Sequence, residues 1–328
     1  MQTADLVLEG GGVKGAGLAG AVEVLGRSYS FDRVAGTSAG AIVASFVAAG
    51  LTERLEQIMV ETDFSDFLDE GGVFGHLGKV GEGLGVLIHE GIYRGQRLRD
   101  WIAQNLARAP YPVRTWADLR IPGTDAATPI EHRYRLVVVV SDISRGRMLR
   151  LPWDYPTLLG KDPDAQPVAD AVRASASIPF FFRPWHLSVE QSIANGHDQL
   201  VLTDGGMLSN FPVELFDDDE YPTFGVKLSA RLTLQQQRWN NADDALSLGK
   251  ALISTMMSAH DQLYVDRESV CARTIFIDTT GVNSTNFHLS AAAKQGLFDN
   301  GAAAATEFLK TWDFEAWKRA YGQVGVPV

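Results

Sequence analysis

Residues 36–40 read Gly-Thr-Ser-Ala-Gly, between a short apolar segment and an alanine-rich one. The pattern Gly-x-Ser-x-Gly is typical of a sharp turn from a strand to a helix, which lifts the serine hydroxyl out at the helix N-terminus in a strained backbone conformation. Small residues two positions to either side let the helix pass close to the neighbouring strand. The same residues also fit a serine-capped helix with close glycine packing, so the pentapeptide alone leaves both interpretations open.

A second glycine-rich loop, Gly10-Gly-Gly-Val-Lys-Gly15, directly follows the strand-like residues 6–8. Its spacing fits Gly-x-Gly-x-x-Gly, which in a dinucleotide-binding fold requires an acid about 20 positions later, at the end of a second strand. Asp32 is a candidate acid, but the second strand ends in the serine turn instead. Glycine N–H groups at a helix N-terminus also suit a negatively charged oxygen beside the serine. We therefore expect this loop to hold an oxyanion rather than a pyrophosphate.

Strand and helix patterns alternate along most of the 328 residues. Apolar runs and periodicity predict strands at 6–8, 33–35, 135–141, 200–202, 223–228 and 274–277, and helices at 41–49, 55–62, 94–106, 170–176, 243–268 and 290–310. This alternation favours an α/β fold, with a mostly parallel sheet covered by helices on both faces. We expect a single domain over residues 1–328, with the motifs in 5–215 and the remaining residues 216–328 completing the fold.

The composition excludes several classes of function. The formal net charge of −11 leaves no basic surface for nucleic acid, and any membrane contact has to be local and largely apolar. The single cysteine, Cys271, has no metal-ligand spacing around it, so we expect no metal and no cofactor. No apolar run reaches the ~20 residues of a spanning helix, and the first strand begins too early for a signal peptide. We expect a cytoplasmic protein with at most transient, peripheral membrane contact.

A serine nucleophile needs a base. His288 is the only late histidine, as a Ser-His-Asp hydrolase of the α/β type would require, but its setting beside apolar residues is not distinctive. Asp204 is the better candidate, because it ends the predicted strand 200–202 and is followed by Gly205 and Gly206. An acid at a strand end is placed like a functional group, although Asp-Gly more often closes an Asx-turn.

Together, the three motifs resemble those of the patatin-like phospholipases in order and spacing. The resemblance rests on Gly10–Gly15, Gly36–Gly40 and Asp204-Gly-Gly206, and extends to Val172-Arg-Ala-Ser-Ala-Ser-Ile-Pro179, Gly91-Ile-Tyr-Arg-Gly95 and the segment from Asp204 to Pro212. It covers about residues 6–213, whereas the remaining residues match only in general helix–strand character. It implies a patatin-like three-layer α/β sandwich.

The resemblance also implies a Ser-Asp dyad with no histidine, in which Ser38 is the nucleophile and Asp204 the general base. Backbone N–H groups of Gly11, Gly12 and Val13 would form the oxyanion hole. The glycines carried over as support for the turns are Gly10, Gly15, Gly36, Gly40, Gly205 and Gly206. Lys14 would either attract an anionic headgroup or simply be solvated. Asn210 would hold the aspartate turn in shape.

The implied function is hydrolysis of a fatty acyl ester of a phospholipid or related lipid through an acyl-Ser38 intermediate. The same residues fit a soluble carboxylesterase or thioesterase. A non-catalytic lipid-binding protein and a dinucleotide-binding oxidoreductase are alternatives of other classes, and the oligomeric state is left open. An aspartate with a pKa of about 4 is a weak base for a hydroxyl, so the site has to be dry. The glycine-rich segment 70–90, with Phe74 and Leu77, is a candidate lid.

Overall fold

The computed structural model describes residues 1–69, 91–217, 220–228 and 267–322, together with five isolated positions between 248 and 256. The strands of this part are β1 (Gln2–Leu8), β2 (Tyr29–Thr37), β3 (Gly91–Tyr93), β4 (Leu136–Asp142), β5 (Arg147–Leu151), β6 (Phe180–Phe182), β7 (Trp185–Ser188), β8 (Gln199–Asp204), β9 (Thr223–Lys227) and β10 (Thr274–Phe276). The helices are α1 (Gly15–Leu25), α2 (Ala39–Ala48), α3 (Leu55–Glu61), α4 (Gln96–Ala107), α5 (Asp154–Leu159), α6 (Val168–Ser175), α7 (Glu268–Cys271), α8 (Ala291–Leu309) and α9 (Phe314–Tyr321).

In the described residues, eight strands form one sheet in the order β10-β9-β1-β2-β4-β8-β7, with β5 also paired to β4. The strands from β10 to β4 run parallel to one another. Strands β5 and β8 run antiparallel to β4, and β7 runs antiparallel to β8. The prediction of a mostly parallel sheet is confirmed, but the strand that carries Asp204 has the opposite direction to its neighbour.

Two hydrophobic cores lie on the two faces of this sheet. Alternate residues of β1 face different cores, because successive side chains of a strand point to opposite sides. Leu6 and Leu8 belong to the larger core, which also holds the apolar residues of α1 and α2. Val7 belongs to the smaller core, with Phe211 and Phe216 from the segment after β8. The chain is therefore an α/β three-layer sandwich, and every residue of the valine-rich strand β4 is buried within it.

In the larger core, helices α1 and α8 approach each other very closely. An added Cβ at Gly20 of α1 would lie 2.0 Å from the Phe298 carbonyl oxygen, and one at Gly301 of α8 would lie 1.9 Å from that of Gly17. Since no side chain fits at those distances, these glycines let α8 pack directly on α1. The predicted helix 290–310 is thus confirmed as α8, against the helix that follows the first glycine loop.

The sequence predictions differ from the structure in several other places. Strand β2 is longer than the predicted 33–35, and the short strands β3, β5, β6 and β7 were not predicted. Most of the predicted helix 243–268 lies outside the described residues, and the assignment of residues 1–328 to one domain stays a prediction. In the parts of the chain that the structure describes, no helix combines the length and apolar character needed to cross a bilayer.

Candidate active site

Ser38 lies on a tight turn between β2 and α2. Its backbone angles are φ 53° and ψ −121°, in the left-handed half of the map, which is strained for a residue with a side chain. An added Cβ at Gly36 would lie 2.3 Å from the carbonyl carbon of Gly40, and one at Gly40 would lie 2.2 Å from the Leu8 carbonyl oxygen. The Ser38 side chain makes no capping hydrogen bond to α2. Gly36 and Gly40 therefore allow the start of α2 to lie close to β2 and β1, and the Ser38 hydroxyl does not cap the helix.

A second serine holds this turn in place. The Ser38 N–H donates to Ser175 Oγ at 2.8 Å, and Ser175 Oγ donates to the Val139 carbonyl of β4 at 2.6 Å. Both serines are buried, with Ser38 only 2% exposed. Sequence analysis included Ser175 only as part of the segment 172–179, because no local pattern shows that this hydroxyl links the Ser38 turn to β4, about 100 residues away along the chain.

The sheet register brings Asp204 level with Ser38. Thr37 is paired with Val139 across β2 and β4, and Asp204 is paired with Val140 across β4 and β8. The Ser38 and Asp204 side chains therefore extend from two different strands that pair with β4, at the same level along it. An added Cβ at Gly205 would lie 2.2 Å from the Val139 carbonyl oxygen, so the chain after Asp204 passes closely over β4.

The Asp204 carboxyl group is fully buried, and burial raises its pKa to about 6, although the neighbouring Ser38 hydroxyl and the Gly206 N–H lower it. Oδ1 accepts a hydrogen bond from the Gly206 N–H at 2.8 Å, which is an Asx-turn. Oδ2 is buried, and no residue that the structure describes donates a well-aligned hydrogen bond to it. One oxygen thus shapes the turn, while the other is available to accept a proton.

The first glycine loop lies against this pair. An added Cβ at Gly10 would lie 3.1 Å from Ser38 Cβ and 2.2 Å from Asn210 Oδ1. The Gly10 N–H donates to the Asn210 carbonyl at 3.1 Å, and Asn210 Nδ2 donates to the Gly10 carbonyl at 3.2 Å. Asn210 therefore joins the aspartate segment to the glycine loop. Farther along the loop, Lys14 is partly exposed, and Gly15 packs beside Met59.

The three N–H groups predicted to form an oxyanion hole are not equivalent. The Val13 N–H donates to the Ser284 carbonyl at 3.0 Å, so in this structure it is not available to a substrate oxygen. The Gly11 and Gly12 N–H groups have no hydrogen-bond partner among the described residues, and the same holds for the Ala39 N–H. Sequence analysis missed Ala39, although the residue after a nucleophilic serine commonly supplies such a donor.

A pocket opens beside Ser38, and its walls are almost entirely apolar. Aromatic and aliphatic side chains from α3 and the segment after it, from α4, from β6 and from the loop after β10 line it, among them Met59, Phe67, Leu98, Trp101, Phe182 and Phe287. Phe287 also stacks on Phe181, with ring centroids 4.8 Å apart. An apolar pocket beside a serine suits a hydrocarbon chain better than a charged ligand.

Two sequence-based alternatives have less support from this geometry. His288 is exposed, and none of the histidines that the structure describes lines the pocket. The candidate lid at 70–90 lies outside the described residues. The acid that the geometry brings to Ser38 is Asp204.

Comparisons with known proteins agree with the architecture. A family model described as patatin-like phospholipase matches residues 6–217. The uncharacterized protein YqhO of Bacillus subtilis is 37% identical over 313 residues, which cover 94% of this chain and 99% of YqhO. The mimivirus protein R571, from Acanthamoeba polyphaga mimivirus, is 25% identical over 319 residues, covering 92% of this chain and 91% of R571. The solved structure of VipD from Legionella pneumophila shares the fold, with a TM-score of 0.53 and 17% identity, over 95% of this chain and 67% of VipD.

Proposed function

Because the chain belongs to the patatin-like phospholipase family, we propose that it hydrolyses fatty acyl esters of a phospholipid or related lipid, with Ser38 as nucleophile and Asp204 as general base. Membership of the family supports lipid ester hydrolysis. The observation that carries the finer assignment is the strained, uncapped Ser38 beside a buried carboxyl group whose pKa is raised to about 6. A carboxylate of that basicity is better matched to a hydroxyl than an ordinary aspartate.

In the acylation step, Asp204 accepts the hydroxyl proton while Ser38 Oγ attacks the acyl carbonyl carbon. The carbonyl oxygen becomes negatively charged and accepts hydrogen bonds from the N–H groups of Gly11, Gly12 and Ala39. These donors are fixed before the reaction, so they stabilise the charge without reorganisation. The C–O bond to the leaving alcohol then breaks, Asp204 returns the proton to that alcohol, and an acyl-Ser38 ester remains.

In the deacylation step, a water molecule takes the place of the alcohol. Asp204 accepts its proton, the hydroxide oxygen attacks the acyl carbonyl carbon, and the C–O bond to Ser38 then breaks. Asp204 returns the proton to Ser38 Oγ, and the fatty acid is released. No cofactor takes part in the proposed reaction. The apolar pocket would hold the acyl chain during both steps, with the lipid delivered by transient contact with a membrane surface.

The test uses the full chain, a fluorophosphonate probe, and acyl esters both free in solution and in phosphatidylcholine vesicles. Wild type should be labelled covalently at Ser38, as mass spectrometry of peptides would show, and should release fatty acid. Ser38→Ala should lose labelling, and its hydrolysis rate should fall by at least about 10⁴-fold. Ser45→Ala is a matched control, since Ser45 is also buried, in α2, but its hydroxyl donates to the Ile42 carbonyl of the same helix.

Equal loss in the two serine variants, or a wild-type protein that neither reacts with the probe nor hydrolyses any ester, would contradict the proposal. Hydrolysis of soluble esters without any release of fatty acid from vesicles would favour a soluble carboxylesterase or thioesterase instead. Binding of vesicles without turnover would favour a lipid-binding protein.

A further inference from the structure

A buried charged pair lies directly beneath the glycine loop. Glu9 is the residue before Gly10 and is 6% exposed, while Lys227, at the end of β9, is 8% exposed. Lys227 Nζ forms an ion pair with Glu9 Oε1, and the Leu228 N–H donates to Glu9 Oε2. Asn210 Nδ2 also donates to Glu9 Oε1 at 3.4 Å. The Glu9 carboxylate thus accepts hydrogen bonds from the end of β9 and from the segment after Asp204.

The backbone at Glu9 and Gly10 touches the turn that carries Ser38. An added Cβ at Gly40 would lie 2.7 Å from the Glu9 carbonyl oxygen, and one at Gly10 would lie 3.1 Å from Ser38 Cβ. Any displacement of these two residues therefore changes the distance between the loop N–H groups and Ser38 Oγ. A shift of about 1 Å in such an arrangement can reduce the rate by 10²-fold.

We propose that Glu9 and Lys227 are positioning residues that fix the glycine loop relative to Ser38 and the aspartate segment. This inference rests on the proposed function, because it concerns the same oxyanion hole. Neither residue touches the substrate: both act through the backbone of Gly10–Gly12 and through Asn210.

The chemistry of the pair favours a role in geometry over a role in stability. A buried ion pair can often be replaced by apolar residues without loss of stability, whereas removing one partner leaves an uncompensated buried charge. A carboxylate only accepts hydrogen bonds, so it aligns the ammonium, amide and backbone donors around it in one arrangement. Lys227 also neutralises Glu9, which would otherwise be an anion next to the place where the substrate oxygen becomes negative.

The experiment compares Lys227→Met, Lys227→Arg and the neutral double variant Glu9→Gln/Lys227→Met. Arg33→Met is the matched control, since Arg33 of β2 and Asp5 of β1 form another buried ion pair between neighbouring strands of the same sheet, away from the glycine loop. For each folded variant, kcat and KM are measured on a soluble acyl ester, together with the rate of fluorophosphonate labelling at Ser38.

Lys227→Met and the double variant should each lower kcat and the labelling rate by about 10- to 100-fold, with KM within about twofold of wild type. Lys227→Arg should recover most of that loss, and Arg33→Met should keep the wild-type kcat per folded molecule. If Lys227→Met does not fold, the double variant, which buries no unpaired charge, tests the inference through its kcat and labelling rate.

Wild-type kcat in the double variant, or an equal loss in Arg33→Met, would overturn the inference and leave the proposed function intact. A wild-type protein that is not labelled at Ser38 would overturn both. The two failures are therefore distinguished by the wild-type labelling reaction alone.

Discussion

Among the aspartates that the structure describes, Asp5 within β1 and Asp204 at the end of β8 are both fully buried. Burial raises the pKa of both, to about 7 for Asp5 and about 6 for Asp204. Their neighbours differ. Asp5 accepts the Arg33 N–H at 3.0 Å and lies 3.8 Å from the Arg33 guanidinium, which in turn packs over the Phe216 ring. Asp204 has a serine hydroxyl and a backbone N–H as neighbours, and makes no ion pair with any described residue.

The difference shows that a raised pKa identifies burial and not function. A carboxyl group that faces a guanidinium inside the smaller core has no substrate to exchange a proton with. A carboxyl group that faces a strained serine beside an open pocket has a hydroxyl within reach with which a proton could be exchanged. The neighbours of an acid, more than its basicity, indicate which of the two it is.

The strongest test of this comparison is to make the same substitution at both positions. Asp204→Asn keeps an oxygen to accept the Gly206 N–H but removes the base, so ester hydrolysis should fall by about 10⁴-fold. Asp5→Asn should keep the wild-type rate per folded molecule. Rates on a chromogenic ester, normalised to the folded fraction from circular dichroism, provide the comparison. An active Asp204→Asn variant would contradict the role of Asp204 as base and favour a histidine base such as His288.

The second prediction concerns stability. The pKa of Asp5 is raised from 3.8 to about 7 on folding, so the folded state favours the protonated form. This contribution is fully present below about pH 4 and is lost as the pH rises through 7, which amounts to about 4 kcal/mol. Measured by urea unfolding, the free energy of unfolding of wild type relative to that of Asp5→Asn should therefore fall between pH 4 and 7, since the raised pKa of Asp204 is common to both proteins. Parallel curves for the two proteins would contradict it.

The third prediction concerns the same pH range in catalysis. The base has to be ionised, so kcat/KM should fall about tenfold per pH unit below a pKa of about 6. Acidification should thus inactivate the protein through Asp204 while Asp5 favours its folded state. The Asp5→Asn variant should keep the wild-type activity profile. A shift of the acid limb in that variant would mean that the two carboxyl groups are coupled.

The smallest expected effect is at the pocket wall. Phe287→Ala removes part of the apolar surface that faces an acyl chain, so kcat/KM for a decanoyl ester should fall by roughly 3- to 10-fold, with an acetyl ester changed by less than about twofold. Phe308→Ala is the control, because that ring packs on Phe224 and Trp312 away from the pocket. If kcat/KM depended on acyl chain length in the same way in both variants, the assignment of this pocket to the acyl chain would be contradicted.

The parts of the fold that the sequence predicted are those with local physical causes. The glycines at 36 and 40 are required by contacts within a few residues or with the adjacent strand, so a short motif reports them. The parallel core of the sheet follows from buried apolar runs separated by helices. The antiparallel direction of β8 has no such local cause, since it depends on the pairing of residues 202–204 with 140–142.

The parts of the site that were missed depend on contacts between distant residues. The Val13 N–H is engaged by a carbonyl at residue 284, and the Ser38 N–H by a hydroxyl at residue 175. Glu9 and Lys227 are single charged residues at strand ends, and their attraction becomes visible only when β1 and β9 are paired. The roles of Ser38, Asp204 and the glycine loop as catalytic groups stay predictions until the variants are measured.

The ion pair between Glu9 and Lys227 also sets an order of events during synthesis. The ribosome adds Ser38 before Asp204, and it adds Lys227, which lies beneath the glycine loop, later still. On the proposed mechanism, a nascent chain that has passed residue 38 therefore lacks the base and the ion pair until residues 204 and 227 have been added.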